Sequence, residues 1–193
     1  GKFLPDLLGQ QKKGIENNRG FEGLASSLDG QNIYIISESP IMGDREPKSD
    51  AQWLRMVRFS KGGALFKFDG EYTYLLDSRG KTSQGTEVFR GLTDIVHFMD
   101  NKFITLERGT RLGVGGLAYT ASIYFVDFAG SKDISNIDNL SRGRVASARK
   151  ERLVDFEQSL VNFKLENYEG ISWGPILPDG RRTLLVVSDN NFS

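Results

Sequence analysis

The chain repeats itself, and the repeat constrains its fold more than any other feature does. Phe21-Glu22-Gly23-Leu24 runs through Asp29-Gly30 to Ile35-Ile36-Ser37-Glu38. Leu92-Thr93-Asp94-Ile95 runs through Asp100-Asn101 to Ile104-Thr105-Leu106-Glu107, and Tyr168-Glu169-Gly170-Ile171 through Asp179-Gly180 to Val186-Val187-Ser188-Asp189. Each unit reads acid, strand, turn, strand, acid. The leading acids, Glu22, Asp94 and Glu169, stand 72 and then 75 residues apart. Self-similarity at a long, steady period marks a repeat architecture. Two further strand candidates follow each of the first two units, near 53–59 and 64–76, then near 120–128 and 150–156. Four strands per unit is the pattern of a β-propeller blade. Simple propeller blades take roughly 40–50 residues, so these units carry insertions. Propellers close with roughly four to eight blades, and 193 residues hold fewer than three units of this length. The reading is therefore all-β and propeller-like but incomplete, with about two and a half blades and residues 1–193 forming part of a single domain.

Local signals agree with a strand-built chain. Ile33 to Ile36, Leu54 to Phe59, Leu65 to Phe68, Tyr72 to Leu76, Ile123 to Phe128 and Thr183 to Val187 are rich in β-branched and aromatic residues. Asp29-Gly30, Asp69-Gly70 and Asp179-Gly180 predict tight hairpin turns, because glycine accepts positive φ. Only Phe3 to Gln10 suggests a short helix, and Pro5 weakens it. Residues 39–52 and 129–150 read as loops, and both are candidate surfaces for a protein partner.

Composition narrows the chemistry. Lys+Arg and Asp+Glu are both 25, so the net charge is zero, which argues against a dedicated nucleic-acid binder. The apolar runs are too short to span a membrane as a helix. Gly1 is not an initiator Met and no signal-peptide core follows it, so the N-terminus reads as processed or cropped. There is no Cys and a single His, which excludes thiolate zinc sites, cysteine nucleophiles and any site built on two histidines. A metal here would need oxygen ligands, as calcium and magnesium do. In a blade the innermost strand lines the central channel, so acids at the ends of these strands would gather near one mouth. Clustered carboxylates raise one another's pKa unless a cation sits among them. Glu22, Glu38, Asp94, Glu107, Glu169 and Asp189 are thus the candidate ligands of a hard cation, calcium or magnesium.

Asn18-Arg19-Gly20-Phe21-Glu22-Gly23-Leu24-Ala25, followed by Ser37-Glu38-Ser39-Pro40, resembles the phytase-like domain family, also described as having the esterase-like activity of phytase. Glu166-Asn167-Tyr168-Glu169-Gly170-Ile171 and the stretch from Leu177-Pro178-Asp179-Gly180 to Ser188-Asp189-Asn190-Asn191-Phe192 resemble it more specifically. Leu106-Glu107-Arg108 and Ile123 to Phe128 fall in the same order. The resemblance covers nearly the whole chain and corresponds to the C-terminal half to two-thirds of that domain. It departs from the pattern at Thr93-Asp94, where the other units have aromatic-Glu-Gly. The resemblance implies an exported propeller protein, periplasmic, secreted or in an organelle lumen, that hydrolyses a phosphorylated small molecule with calcium as its metal.

On that reading Glu22, Glu107 and Glu169 are the candidate catalytic acids, with Glu38 a further candidate general base. Arg19 and Arg108 follow as candidate phosphate anchors, since they sit beside Glu22 and Glu107 in the chain. Other motifs carry less. Gly170-Ile171-Ser172-Trp173-Gly174 matches a nucleophile elbow, but Pro175 and a turn follow where that motif needs a helix. His97 has Asp94 three residues before it, although a lone strand histidine is more often structural. Arg142, Arg144, Arg149, Lys150 and Arg152 read as a solvated basic loop, and Trp173, Tyr168 and Phe21 as packing residues. A non-catalytic binding or scaffold propeller is the alternative, since folds do not fix functions. A lactonase-like hydrolase is a weaker one.

Overall fold

The computed structural model describes residues 1–6, 10–45, 52–77, 81–82, 85–140 and 145–190. It is all-β, with three antiparallel sheets built in chain order. The first is a four-stranded meander of β1 (Phe21–Ser26), β2 (Asn32–Ser37), β3 (Gln52–Gly62) and β4 (Leu65–Leu76). The second orders β5 (Lys81–Thr82), β6 (Gly85–Met99), β7 (Lys102–Gly113), β8 (Gly116–Asp127) and β9 (Arg149–Asp155). The third pairs β10 (Asn167–Ile176) with β11 (Arg182–Asp189). One helical turn, α1 (Phe156–Ser159), links the second sheet to the third, capped by the Asp155 carboxylate on the Glu157 N–H.

The second sheet is covered on both faces. Leu92, Ile95, Phe103, Tyr124 and Val126 pack against Ala25, Tyr34, Ile36, Leu54, Met56 and Tyr74 of the first sheet. Ile104, Leu106, Ala121 and Ile123 pack against Ile171, with Trp173, Leu184 and Val186 alongside. Burial on two faces explains why Ile123 to Phe128 reads as an almost unbroken apolar run rather than an alternating one.

Two predicted local features differ in the structure. Asp69-Gly70 is not a hairpin turn. It lies inside β4, where Gly70 at φ +130° marks a bulge opposite Arg58 and Phe59, and the β3–β4 turn comes at Gly63. No helix forms in the described part of residues 3–10, which holds a turn at residues 2–3, while residues 7–9 lie outside the described residues. The candidate partner loops pack on the first sheet where they are described. Buried Arg55 donates to both oxygens of Asp44 at 2.6 and 3.0 Å, to Glu71 at 2.8 Å and to the Ile137 carbonyl at 2.8 Å. Asp44 also accepts the Leu140 N–H at 2.8 Å, so one buried guanidinium joins both loops to the sheet.

Of the leading strands, β6 lies between the others, against β1 on one side and β10 on the other. Each is bulged at the same place: at Glu22 between Phe21 and Gly23, at Thr93 between Leu92 and Asp94, and at Glu169 between Tyr168 and Gly170. Gly23 permits the approach of β1 to β6, since a Cβ there would sit 2.5 Å from Ile36 and 3.3 Å from Ile95. Asp94 then fastens the strands. Its carboxylate accepts the Ile171 N–H of β10 and its own neighbour's, Ile95, both at 2.8 Å, and the Leu24 N–H of β1 also favours its charge. Burial pushes the Asp94 pKa up, and these three amides oppose it. Replacing Asp94 with Ala should lower stability by about 1–3 kcal/mol, the cost of leaving such amides unpaired, as read from the denaturant midpoint of the complete protein.

Candidate functional site

The bulges correct the register of the repeat. Phe21, Leu92 and Tyr168 are equivalent, and they pair with Ser37, Glu107 and Ser188. Thr93, not Asp94, therefore stands with Glu22 and Glu169. Arg108, not Glu107, stands with Glu38 and Asp189. Alternation along β7 sends Glu107 and Arg108 to opposite faces, and their surroundings differ accordingly.

Three of the predicted acids meet around one of the predicted arginines. Arg108 Nη2 donates to Glu169 Oε1 at 2.8 Å and lies 3.5 Å from Glu38 Oε1. Glu169 Oε1 also accepts from Asn167 Nδ2 at 2.5 Å. Glu22 is exposed beside them and interacts electrostatically with Arg108, Glu38 and Glu169. The Phe89 ring carries both guanidiniums, Arg19 at 4.6 Å and Arg108 at 5.4 Å from its centroid. Arg19 also pairs with Glu16 at 3.4 Å. The Arg108 Nε is buried and has no partner among the described residues.

Glu38 is the most perturbed group of this cluster. It is 3% exposed. Its backbone joins two sheets, with its N–H donating to Gly20 and its carbonyl accepting from Leu92. Gly91 makes room for it, because a Cβ there would lie 2.6 Å from the Glu38 Cγ. Burial, and then the charge of Glu22, push its pKa up to about 7 against the opposing pull of Arg108. The Glu22 pKa is raised too, by the partial loss of solvent around its carboxylate among these neighbours and then by Glu169.

The remaining predicted residues lie elsewhere. Glu107 is fully buried in a separate network, with Oε1 accepting from Tyr74 Oη and Lys150 Nζ, each at 2.6 Å. Its Oε2 takes weaker contacts from the Asp77 N–H at 3.4 Å and Arg90 Nη1 at 3.5 Å. Both oxygens are thus engaged, which corrects its reading as a mouth acid. Lys150, read as part of a solvated loop, lies in β9 over the Tyr74 and Tyr124 rings. Arg149 and Arg152 are exposed, and Arg142 and Arg144 lie outside the described residues. Asp94 is the strand clamp. Asp189 ends β11 and is exposed. His97 stacks on Tyr34 at 5.8 Å, meets Phe103 edge-on and bonds the Asp100 carbonyl through Nε2 at 2.9 Å.

The calcium that the resemblance implies requires oxygen donors converging on one point. Among the described residues no three acidic or histidine side chains are grouped to hold an ion. The three acids that do meet enclose a guanidinium, so this donor set does not fit a calcium centre. Phe89, Gly91 and Asn167 complete the cluster and were not singled out from the sequence. Phe89 and Gly91 lie three residues and one residue before Leu92, so the aligned repeat points to their neighbourhood without giving their roles.

Two clefts open toward the other ends of the leading strands. One, of about 490 Å³, is lined by Ser27, Asn32, Tyr34, Arg58, His97 and Asp100 among others. The second lies between Leu24–Leu28, Ile95–His97 and Ile171–Trp173. Neither includes a member of the acid–arginine cluster.

A raised carboxyl pKa means that the folded state keeps a proton the unfolded chain has released. Stability from Glu38 is therefore full below about pH 4.5 and lost as pH rises through about 7. Glu38→Gln should raise Tm relative to the parent above pH 7.5, by the equivalent of about 2–4 kcal/mol. The gain should fade at pH 4–5, as followed by thermal melts of the complete protein.

A family model for phytase-like proteins, described as having the esterase-like activity of phytase, matches residues 2–192. An uncharacterized secreted protein of Arthroderma benhamiae is 28% identical over 116 residues, covering 58% of this chain and 22% of that relative. The match thus spans about a fifth of the relative's length. No solved structure matches the chain. With the family model extending over nearly every residue, the chain belongs to the phytase-like family.

Proposed function

We propose that the chain forms part of an exported β-propeller hydrolase acting on phosphoric esters, with its site at the cluster of Glu22, Glu38, Arg108 and Glu169. The sheets are read as successive blades, the third represented by its two inner strands. Their meander order and the contacts of β6 with both β1 and β10 support that reading. Family membership supports a hydrolase-like function, and the secreted relative supports export.

The observation that carries the catalytic part is Glu38, a buried carboxyl whose pKa stands near 7 beside a guanidinium. A group with such a pKa both takes and gives a proton at neutral pH, which is what general acid–base catalysis needs. In this scheme the phosphoryl oxygens lie against Arg19 and Arg108, whose platform is Phe89. Arg108 keeps a buried Nε–H with no protein acceptor among the described residues. Deprotonated Glu38 accepts a proton from the attacking water as its oxygen bonds to phosphorus. The ester P–O bond breaks, and the departing alkoxide takes up the proton that Glu38 has gained, while the charge of Glu22 keeps the Glu38 pKa high enough to release it near neutral pH.

A second reading, a non-catalytic propeller that binds ligand or partner, draws on the placement of both clefts away from this cluster. Hydrolysis of a chromogenic phosphomonoester by the complete protein separates the two. The enzyme reading expects turnover whose pH profile has a limb near 7, with Glu38→Gln lowering kcat by about 100-fold or more and removing that limb. No turnover between pH 4 and 9, or full activity in Glu38→Gln, contradicts it.

A further inference from the structure

We propose that Arg108 is the resident cation of the acid cluster, taking the place that a divalent ion would hold among Glu22, Glu38 and Glu169. This inference concerns the charge balance of the cluster and stands apart from which ester, if any, is hydrolysed there.

The repeat supplies the first argument. In register, the first unit places Glu22 at its bulge and Glu38 just past the paired position, and the third places Glu169 and Asp189 there. The middle unit has neither acid. Its bulge residue is Thr93, and Arg108 stands where the flanking units have Glu38 and Asp189. Both changes act in one direction: two carboxylates are absent and a permanent positive charge is added.

Geometry supplies the second. Arg108 reaches both flanking units, at 2.8 Å from Glu169 of the third and 3.5 Å from Glu38 of the first. Its side chain is 14% exposed and lies over Phe89. A guanidinium never loses its charge in this setting and presents several donors in a fixed plane. It therefore bridges two separate carboxylates from the position a divalent ion would take, with one permanent positive charge in place of two. An incoming calcium would have to displace this group from both acids while facing its positive charge.

Calcium binding to the complete protein, chelator-stripped and followed by equilibrium dialysis, tests the proposal. The parent and Glu169→Gln should bind calcium with the same stoichiometry, since no ion is held by that carboxylate. Arg108→Gln should gain one calcium per chain, and the gain should vanish in Arg108→Gln combined with Glu169→Gln. Arg108→Lys, which keeps the charge, should match the parent. A stoichiometry that falls by one in Glu169→Gln overturns the proposal, as does a folded Arg108→Gln that binds no additional calcium. Should Arg108→Gln fail to fold, the parent and Glu169→Gln pair still decides.

Discussion

The structure depends on β6 being allowed to touch a strand from each of the other two sheets. Bare sheets packed through side chains stand about 10 Å apart, and closer approach needs small residues and partners for the backbone groups that become buried. Gly23 supplies the first condition and Asp94 the second, by taking amides from β6 and β10 with that of β1 nearby. Once β1, β6 and β10 are fixed, the bulges at Glu22, Thr93 and Glu169 fall side by side in the repeat. The acid–arginine cluster follows from that packing. Glu38 enters it because Gly91 leaves space, and Arg108 because β7 turns it away from Glu107.

Polar networks set the remaining joints. Arg55 with Asp44 and Glu71 holds two loop segments on the first sheet, and Glu107 with Lys150 and Tyr74 lies between the first and second. Buried ion pairs add little net stability over an apolar replacement, yet removing one partner leaves a charge stranded at a cost of about 3–5 kcal/mol. Their effect here is to fix which side chains meet. The Glu38 cluster differs in kind. There a carboxyl is kept buried beside other carboxylates, at a pKa that lowers stability above neutrality.

Much of the architecture was legible in the sequence. The strand runs, the hairpins at Asp29-Gly30 and Asp179-Gly180, and the four-strand rhythm of the first two units all follow from patterning by period two and turn chemistry. The site was half legible. Glu22, Glu38, Glu169, Arg19 and Arg108 do come together, but aligning acid with acid misplaced the middle unit by one residue. Residue type cannot reveal a bulge, and a one-residue slip exchanges the two faces of a strand. That slip put Glu107 at the mouth and hid the placement of Arg108 opposite the acids. Lys150 was misread for a related reason: in a run of basic residues, only its position on β9 buries it. Asp69-Gly70 failed as a turn because the same dipeptide suits a bulge within a strand.

Glu38 sits buried in the acid–arginine cluster as a carboxyl poised near neutrality. Carbon-13 NMR titration of the glutamate side chains in the complete protein tests it most directly. The account predicts one glutamate carboxyl with a midpoint near pH 7 that disappears in Glu38→Gln. A Glu38 resonance titrating in the ordinary carboxylate range, near pH 4–5, would contradict it.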